Sequence, residues 1–183
     1  MSHFEYVSVA IALMNALAIG RLLAGLSSSL AADKQYWVHT TWISTLLLIA
    51  VMSWWAMWAL NEVAWTPIRF LWALSIPALL YVRASVLLGH SGDEPDSYYE
   101  HFYAKRPLFF SLGLVTAAFI ALTPWVQGIF PWLEIAPIHI SAATVASISL
   151  LGLLFRSPTV HAVLAVLAFI GAASGFIVIR VVV

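Results

Sequence analysis

The chain contains no cysteine and very little charge: eight basic and eight acidic side chains make up only 9% of its 183 residues. Without cysteine there is no disulfide, no thiolate nucleophile and no Cys-ligated metal or iron–sulfur centre. Soluble domains carry about a quarter charged residues, so a chain this poor in charge cannot clothe a surface that faces water. Its net charge is zero and it has no long basic run, so it lacks the electrostatic footprint of a nucleic-acid binder. Catalytic signatures are missing as well. There is no HExxH, no Gly-rich phosphate loop, no pair of carboxylates within an apolar stretch and no Ser/His/Asp set at one depth. The start of the chain has neither the basic region nor the small-residue cleavage site of a signal peptide, so the first apolar segment is expected to stay in the mature protein.

What is present is hydrophobic: 63% of the residues. A bilayer core about 30 Å thick takes roughly 20 apolar residues per helix. The apolar segments at 4–30, 36–61, 67–89, 107–125, 137–155 and 158–182 therefore predict an all-α, polytopic transmembrane bundle of about six helices in a single domain. Thr66-Pro67 and Ser157-Pro158 place a hydroxyl at the cap and a proline in the first turn, which starts helices three and six, and Pro107 and Pro137 are expected to open helices four and five. Pro77 should kink helix three. The one substantial loop, 90–106, is predicted to be cytoplasmic and to end in a short interfacial helix.

Lysine and arginine stay on the cytoplasmic side of a membrane. With the N-terminus outside, that side collects Arg21, Lys34, Arg83, Lys105, Arg106 and Arg156, so both termini are predicted to lie outside. Most tryptophans then gather at the outer interface as an aromatic belt, with Trp37 and Trp42 towards the inner one.

Several stretches carry a resemblance. They are Phe4-Glu5-Tyr6-Val7-Ser8-Val9, Leu22-Leu23-Ala24-Gly25, Tyr36-Trp37-Val38-His39-Thr40-Thr41-Trp42, Trp54-Trp55-Ala56-Met57-Trp58, Tyr98-Tyr99-Glu100-His101-Phe102-Tyr103, Phe109-Phe110 and His161-Ala162-Val163-Leu164. Across nearly the whole chain this pattern resembles a family of small bacterial inner-membrane proteins. The resemblance implies six helices in a bacterial inner membrane and assigns no site residue. The Ser157-Pro158-Thr159 segment before His161 departs from the pattern, where more basic or aromatic character is expected.

Four kinds of candidate residue stand out. Ala16, Gly20 and Ala24 form a small-residue ridge on helix one, and Gly171 and Gly175 repeat the device on helix six. Both ridges suit close packing between helices and point to a homo-oligomer in the lipid bilayer. Helix five is the most polar, and His139, Ser141, Thr144 and Ser147 are its candidate pore-lining residues. Arg21, Arg83, His39 and His161 fall at similar cytoplasmic depth and are candidates for a small-ligand or anionic-lipid site. No cofactor is predicted outright. His39 and His161 could ligate a haem or a divalent metal, although no His-x-x-x-His spacing supports them. The preferred expectation is a non-enzymatic oligomeric ion channel or small-solute conduit. The alternatives are a haem- or metal-binding redox or sensory subunit, and a scaffold or accessory subunit.

Overall fold

In hydrocarbon every backbone N–H and C=O must find its partner inside the segment that carries it, and apolar runs of this length satisfy that demand as helices. A computed structural model describes the backbone at residues 2–31, 35–89, 95–128 and 132–182, and the side chains at 2–30, 35–89, 95–128 and 136–175. It contains α1 (His3–Ala31), α2 (Trp37–Ala56) extended by a 3₁₀ turn (Met57–Leu60), α3 (Pro67–Leu88), α4 (Tyr98–Gln127), α5 (Trp132–Leu154) and α6 (Pro158–Val182). All six helices are long and apolar enough to cross a membrane, and the chain is a multi-pass membrane helix bundle. Large apolar side chains project outward from every helix, among them Leu13, Leu71, Leu122, Leu154 and Leu167, as befits a surface solvated by lipid.

The helix starts are written in polar side chains. Ser2 and Glu5 form a reciprocal cap on α1: the Ser2 N–H donates to Glu5 Oε2 at 2.8 Å, and the Glu5 N–H donates to Ser2 Oγ at 3.2 Å. Thr66 Oγ1 accepts from the Arg69 N–H at the head of α3, with Pro67 in the first turn. Gly89 ends α3 at φ +74°, in the left-handed region that glycine enters without strain, and its N–H donates to the Ser85 carbonyl.

The expected start of helix four at Pro107 is corrected by the structure. α4 begins at Tyr98, where Ser97 Oγ accepts from the Glu100 N–H, and runs unbroken through Pro107 and Pro124. The stretch expected to be a separate interfacial helix is thus the first part of α4. Pro107 forfeits one backbone bond, but Tyr98, Phe102, Arg106 and Phe110 follow at helical spacing and are all buried, so side-chain packing carries the helix across the proline. α5 likewise begins at Trp132, ahead of Pro137. Pro77 lies inside α3 and is buried.

Around the bundle the helices follow the order α6, α2, α1, α3, α4, α5, and α5 touches α6 only lightly. α2 also reaches α3 and α4 and so stands nearest the centre. The core there is aromatic: Trp42 meets Phe109 and Phe110 edge-on at 5.3 and 5.4 Å. Trp42 is therefore a core residue and no part of an interfacial belt, whereas Trp54, Trp55, Trp58 and Trp125 are exposed as a belt requires.

α4 and α5 make the most extensive helix pair, and two glycines explain how they meet. Gly113 on α4 faces Ser149 on α5, while Gly152 on α5 receives the ring of Phe110 from α4. Each glycine thus makes room for a side chain of the facing helix. α1 and α2 are joined instead by a polar bond, from buried Asn15 Nδ2 to the Ala50 carbonyl at 2.7 Å. Replacing Asn15 by alanine is expected to lower stability by about 0.6–1.7 kcal/mol, the range of interhelical hydrogen bonds in membranes. Unfolding of the purified protein in mixed micelles measures it, and an unchanged midpoint would mean that apolar packing alone holds the pair.

Candidate functional site

A helix ends with four carbonyls that its own turns cannot satisfy. Inside a bilayer these need donors from elsewhere. At one end of this bundle α1, α3 and α5 finish while α2, α4 and α6 begin, and side chains from α1 and from the starts of α2, α4 and α6 serve the carbonyls that end α3 and α5.

At the end of α3, His39 Nε2 and His101 Nε2 both lie against the Leu87 carbonyl, at 2.9 and 3.0 Å. A carbonyl only accepts, so both rings donate through Nε2–H, which leaves their Nδ1 atoms unprotonated in the neutral form. Arg21 Nη2 donates to the next exposed carbonyl, that of Gly89. At the end of α5, Arg106 Nη1 donates to the carbonyls of Gly152 at 2.8 Å, Leu153 at 3.2 Å and Phe155 at 2.7 Å. His161 Nε2 donates to the same Phe155 carbonyl at 3.0 Å. A cation at a helix C-terminus also meets the negative end of the helix dipole.

An aromatic shell encloses both caps. His161 stacks on Phe110 at 5.5 Å and takes the edges of Phe102 and Tyr103. His39 packs against Tyr98 at 5.0 Å, and Tyr36 against Tyr99 at 5.1 Å. Burial, reinforced by the neighbouring Tyr103 and Tyr99, pushes the Tyr36 phenol above its usual range and keeps it protonated. Several polar atoms in this region are sealed from solvent without a partner: Nδ1 of His39 and of His161, Nε of Arg83 and of Arg106, and the indole N–H of Trp42.

The four basic candidates are thus distributed over distinct partners. Arg21 and His39 serve the end of α3, His161 joins Arg106 at the end of α5, and Arg83 lies over the Phe109 ring at 4.8 Å. Arg83 is only 5% exposed, which rules out an arginine reaching for the headgroups. The helix-five candidates face the other way. Ser141 and Thr144 are exposed and return their hydroxyls to the Pro137 and Ile140 carbonyls, Ser147 is exposed, and His139 packs against Trp125. Ala16, Gly20, Ala24 and Gly171 lie on the outer surface, with nothing within 4 Å of where a Cβ on Gly20 or Gly171 would stand, whereas Gly175 faces Met52. Lys34, His90, Asp93, Glu94, Glu134 and Arg180 fall outside the residues whose side chains are described.

Sequence reasoning named Arg106, His101 and Ser149 but did not single them out as site residues. The signal for Arg106 was there: it shares a face with Tyr98, Phe102 and Phe110, a stripe that runs straight through the proline. Among the described residues no group of three or more His, Asp or Glu is placed to hold a metal. A separate open cavity of about 340 Å³ lies between Leu30, Trp37, Ser44 and Phe169, and its hydroxyls at Thr41 and Ser44 already bond backbone carbonyls. No family model matches the chain, and no curated protein or solved structure matches it either.

Proposed function

We propose that this chain is a non-enzymatic protein of a bacterial inner membrane that assembles with copies of itself and offers ions or small solutes a path between subunits, with both termini outside. The observation that carries this reading is the outward direction of the polar face of α5. Ser141, Thr144 and Ser147 are exposed on a surface that is otherwise apolar, while the centre of a single copy is filled by Leu46, Trp42, Phe109 and Phe110. These side chains block a continuous path through one subunit. A path between subunits would use the hydroxyls where they stand, with the exposed ridge at Ala16, Gly20 and Ala24 or the one at Gly171 supplying the contact.

Native mass measurement and vesicle flux test both halves. Gly20→Leu or Gly171→Leu is expected to reduce the assembly while leaving each subunit folded, because no neighbour crowds either position. Thr144→Leu combined with Ser147→Leu is expected to abolish flux of potassium or glycerol into proteoliposomes. A protein that stays monomeric at every detergent ratio would refute the reading, and assembly without flux would leave a scaffold or accessory role in its place.

The free Nδ1 atoms favour one second reading, a haem or divalent metal bound through His39 and His161. An absorption spectrum and metal analysis of protein purified without chelator decide it, since a Soret band or stoichiometric metal is required.

A further inference from the structure

Among the described residues two arginines are buried, Arg83 at 5% exposure and Arg106 at 7%, and their surroundings differ in kind. Arg106 spreads its charge over three carbonyls at the end of α5. Arg83 has no such outlet. Among the described residues no hydrogen bond or ion pair reaches its guanidinium, and its Nε is sealed from solvent. A guanidinium does not give up its proton, and a buried charge without a counter-charge costs several kcal/mol. The face of Phe109 at 4.8 Å supplies a cation–π contact worth about 0.5–2 kcal/mol, too little to offset that cost.

A hydroxyl and an indole N–H lie in the same part of the core as Arg83, at Ser149 and Trp42. Gly113 is central to this. A Cβ there would collide with Ser149 Oγ and stand 3.4 Å from Arg83 Nη2, so a guanidinium from α3 and a hydroxyl from α5 border the same gap left by the missing side chain of α4. Ser149 is itself 1% exposed. Trp42 borders the same Phe109 ring, and its indole N–H is buried with no acceptor. A guanidinium, a hydroxyl and an indole N–H with no carboxylate partner match the chemistry that recognises an anion. Burial limits its size, and a single fixed positive charge matches a single negative one.

We propose that Arg83, together with the Ser149 hydroxyl and the Trp42 indole, holds a small monovalent inorganic anion of the chloride class in the centre of the bundle. The proposal does not depend on a path along α5, because Ser149 belongs to the buried side of that helix and Ser141, Thr144 and Ser147 to its exposed side. Such an anion neutralises the core and ties α3 to α5.

The test uses the full chain, purified in detergent with gluconate as the only anion and titrated with radioactive chloride. The expected result is saturable binding of one chloride per chain, displaced by bromide and not by acetate, together with a rise in unfolding temperature on adding chloride at constant ionic strength. Arg83→Met is expected to abolish binding and the chloride-dependent shift. Ser149→Ala removes only the hydroxyl and Trp42→Phe removes the indole N–H while keeping an aromatic ring, and each is expected to weaken binding by about tenfold, the order of one hydrogen bond to a charged group. Wild-type protein without saturable chloride binding, or Arg83→Met protein that binds chloride as tightly as wild type, overturns the site. Displacement by acetate and not by bromide overturns the inorganic class. Neither readout involves assembly or flux, so this site and the path between subunits stand or fall separately.

Discussion

Arg106→Met is expected to be the most damaging single substitution of a charged residue in this chain. It leaves the Gly152 and Leu153 carbonyls without their donor and halves the support of Phe155, which keeps only His161. A buried polar group stripped of its partner costs about 1–3 kcal/mol, and two such groups at a helix end in an apolar setting bring the expected loss to about 3 kcal/mol or more. Arg106→Lys should recover part of it, because an ammonium keeps the charge at the negative helix end but lacks the breadth of a guanidinium. Arg156 is the control. It is exposed beside the same helix end, and Arg156→Met is expected to shift stability by no more than about 0.5 kcal/mol. Chemical unfolding followed by tryptophan emission reads all three variants. Equal midpoints for Arg106→Met and Arg156→Met would show that the carbonyls find water and that the cap is incidental.

The second large effect is expected at Gly152. A Cβ at this position would lie 2.6 Å from three atoms of the Phe110 ring, and Phe110 is locked between His161 and Trp42. A ring stacked on His161 and in T-shaped contact with Trp42 has little freedom to step aside, so even Gly152→Ala is expected to cost about 1–3 kcal/mol by overpacking. Gly152→Leu is expected to prevent α4 and α5 from docking. Gly20→Ala makes the comparison sharp, because nothing stands within 4 Å there and a monomer should tolerate it fully. Thermal unfolding of the two alanine variants side by side decides the matter, and equal stability would contradict the packing described for α4 and α5.

These two glycines also mark what could be read in the sequence and what could not. The six segments were legible because lipid imposes length and apolarity directly on each of them. Thr66-Pro67 and Pro158 gave correct starts for α3 and α6, since the cap chemistry there is local. Pro107 misled for the same reason. It has the right residue type for a helix start, but the buried face shared by Tyr98, Phe102 and Arg106 overrides a local signal. The small-residue ridges of α1 and α6 were visible as spacing, yet spacing does not say whether a face meets lipid or another helix when both are equally apolar. The close packing of α4 on α5 uses Gly113 and Gly152, each the single glycine of its helix and without a repeat to announce it. The same limit applies to the polar candidates. Arg21, Arg83, His39 and His161 were found by type and depth, but which carbonyl or ring each one meets depends on helix order around the bundle, and nothing in one dimension encodes that order.

The caps at Leu87 and Phe155 bear on how such a chain can be built. The end of α3 draws one donor from the helix before it, His39 of α2, and one from the helix after it, His101 of α4. The end of α5 repeats the arrangement, with Arg106 of α4 before it and His161 of α6 after it. During synthesis, therefore, each of these carbonyls meets a waiting donor as soon as its own helix is threaded, and receives the second when the next helix arrives. The nascent chain can enter the bilayer as successive hairpins, α2 with α3 and then α4 with α5, without stranding a bare helix end in hydrocarbon while ribosome and translocon finish the rest.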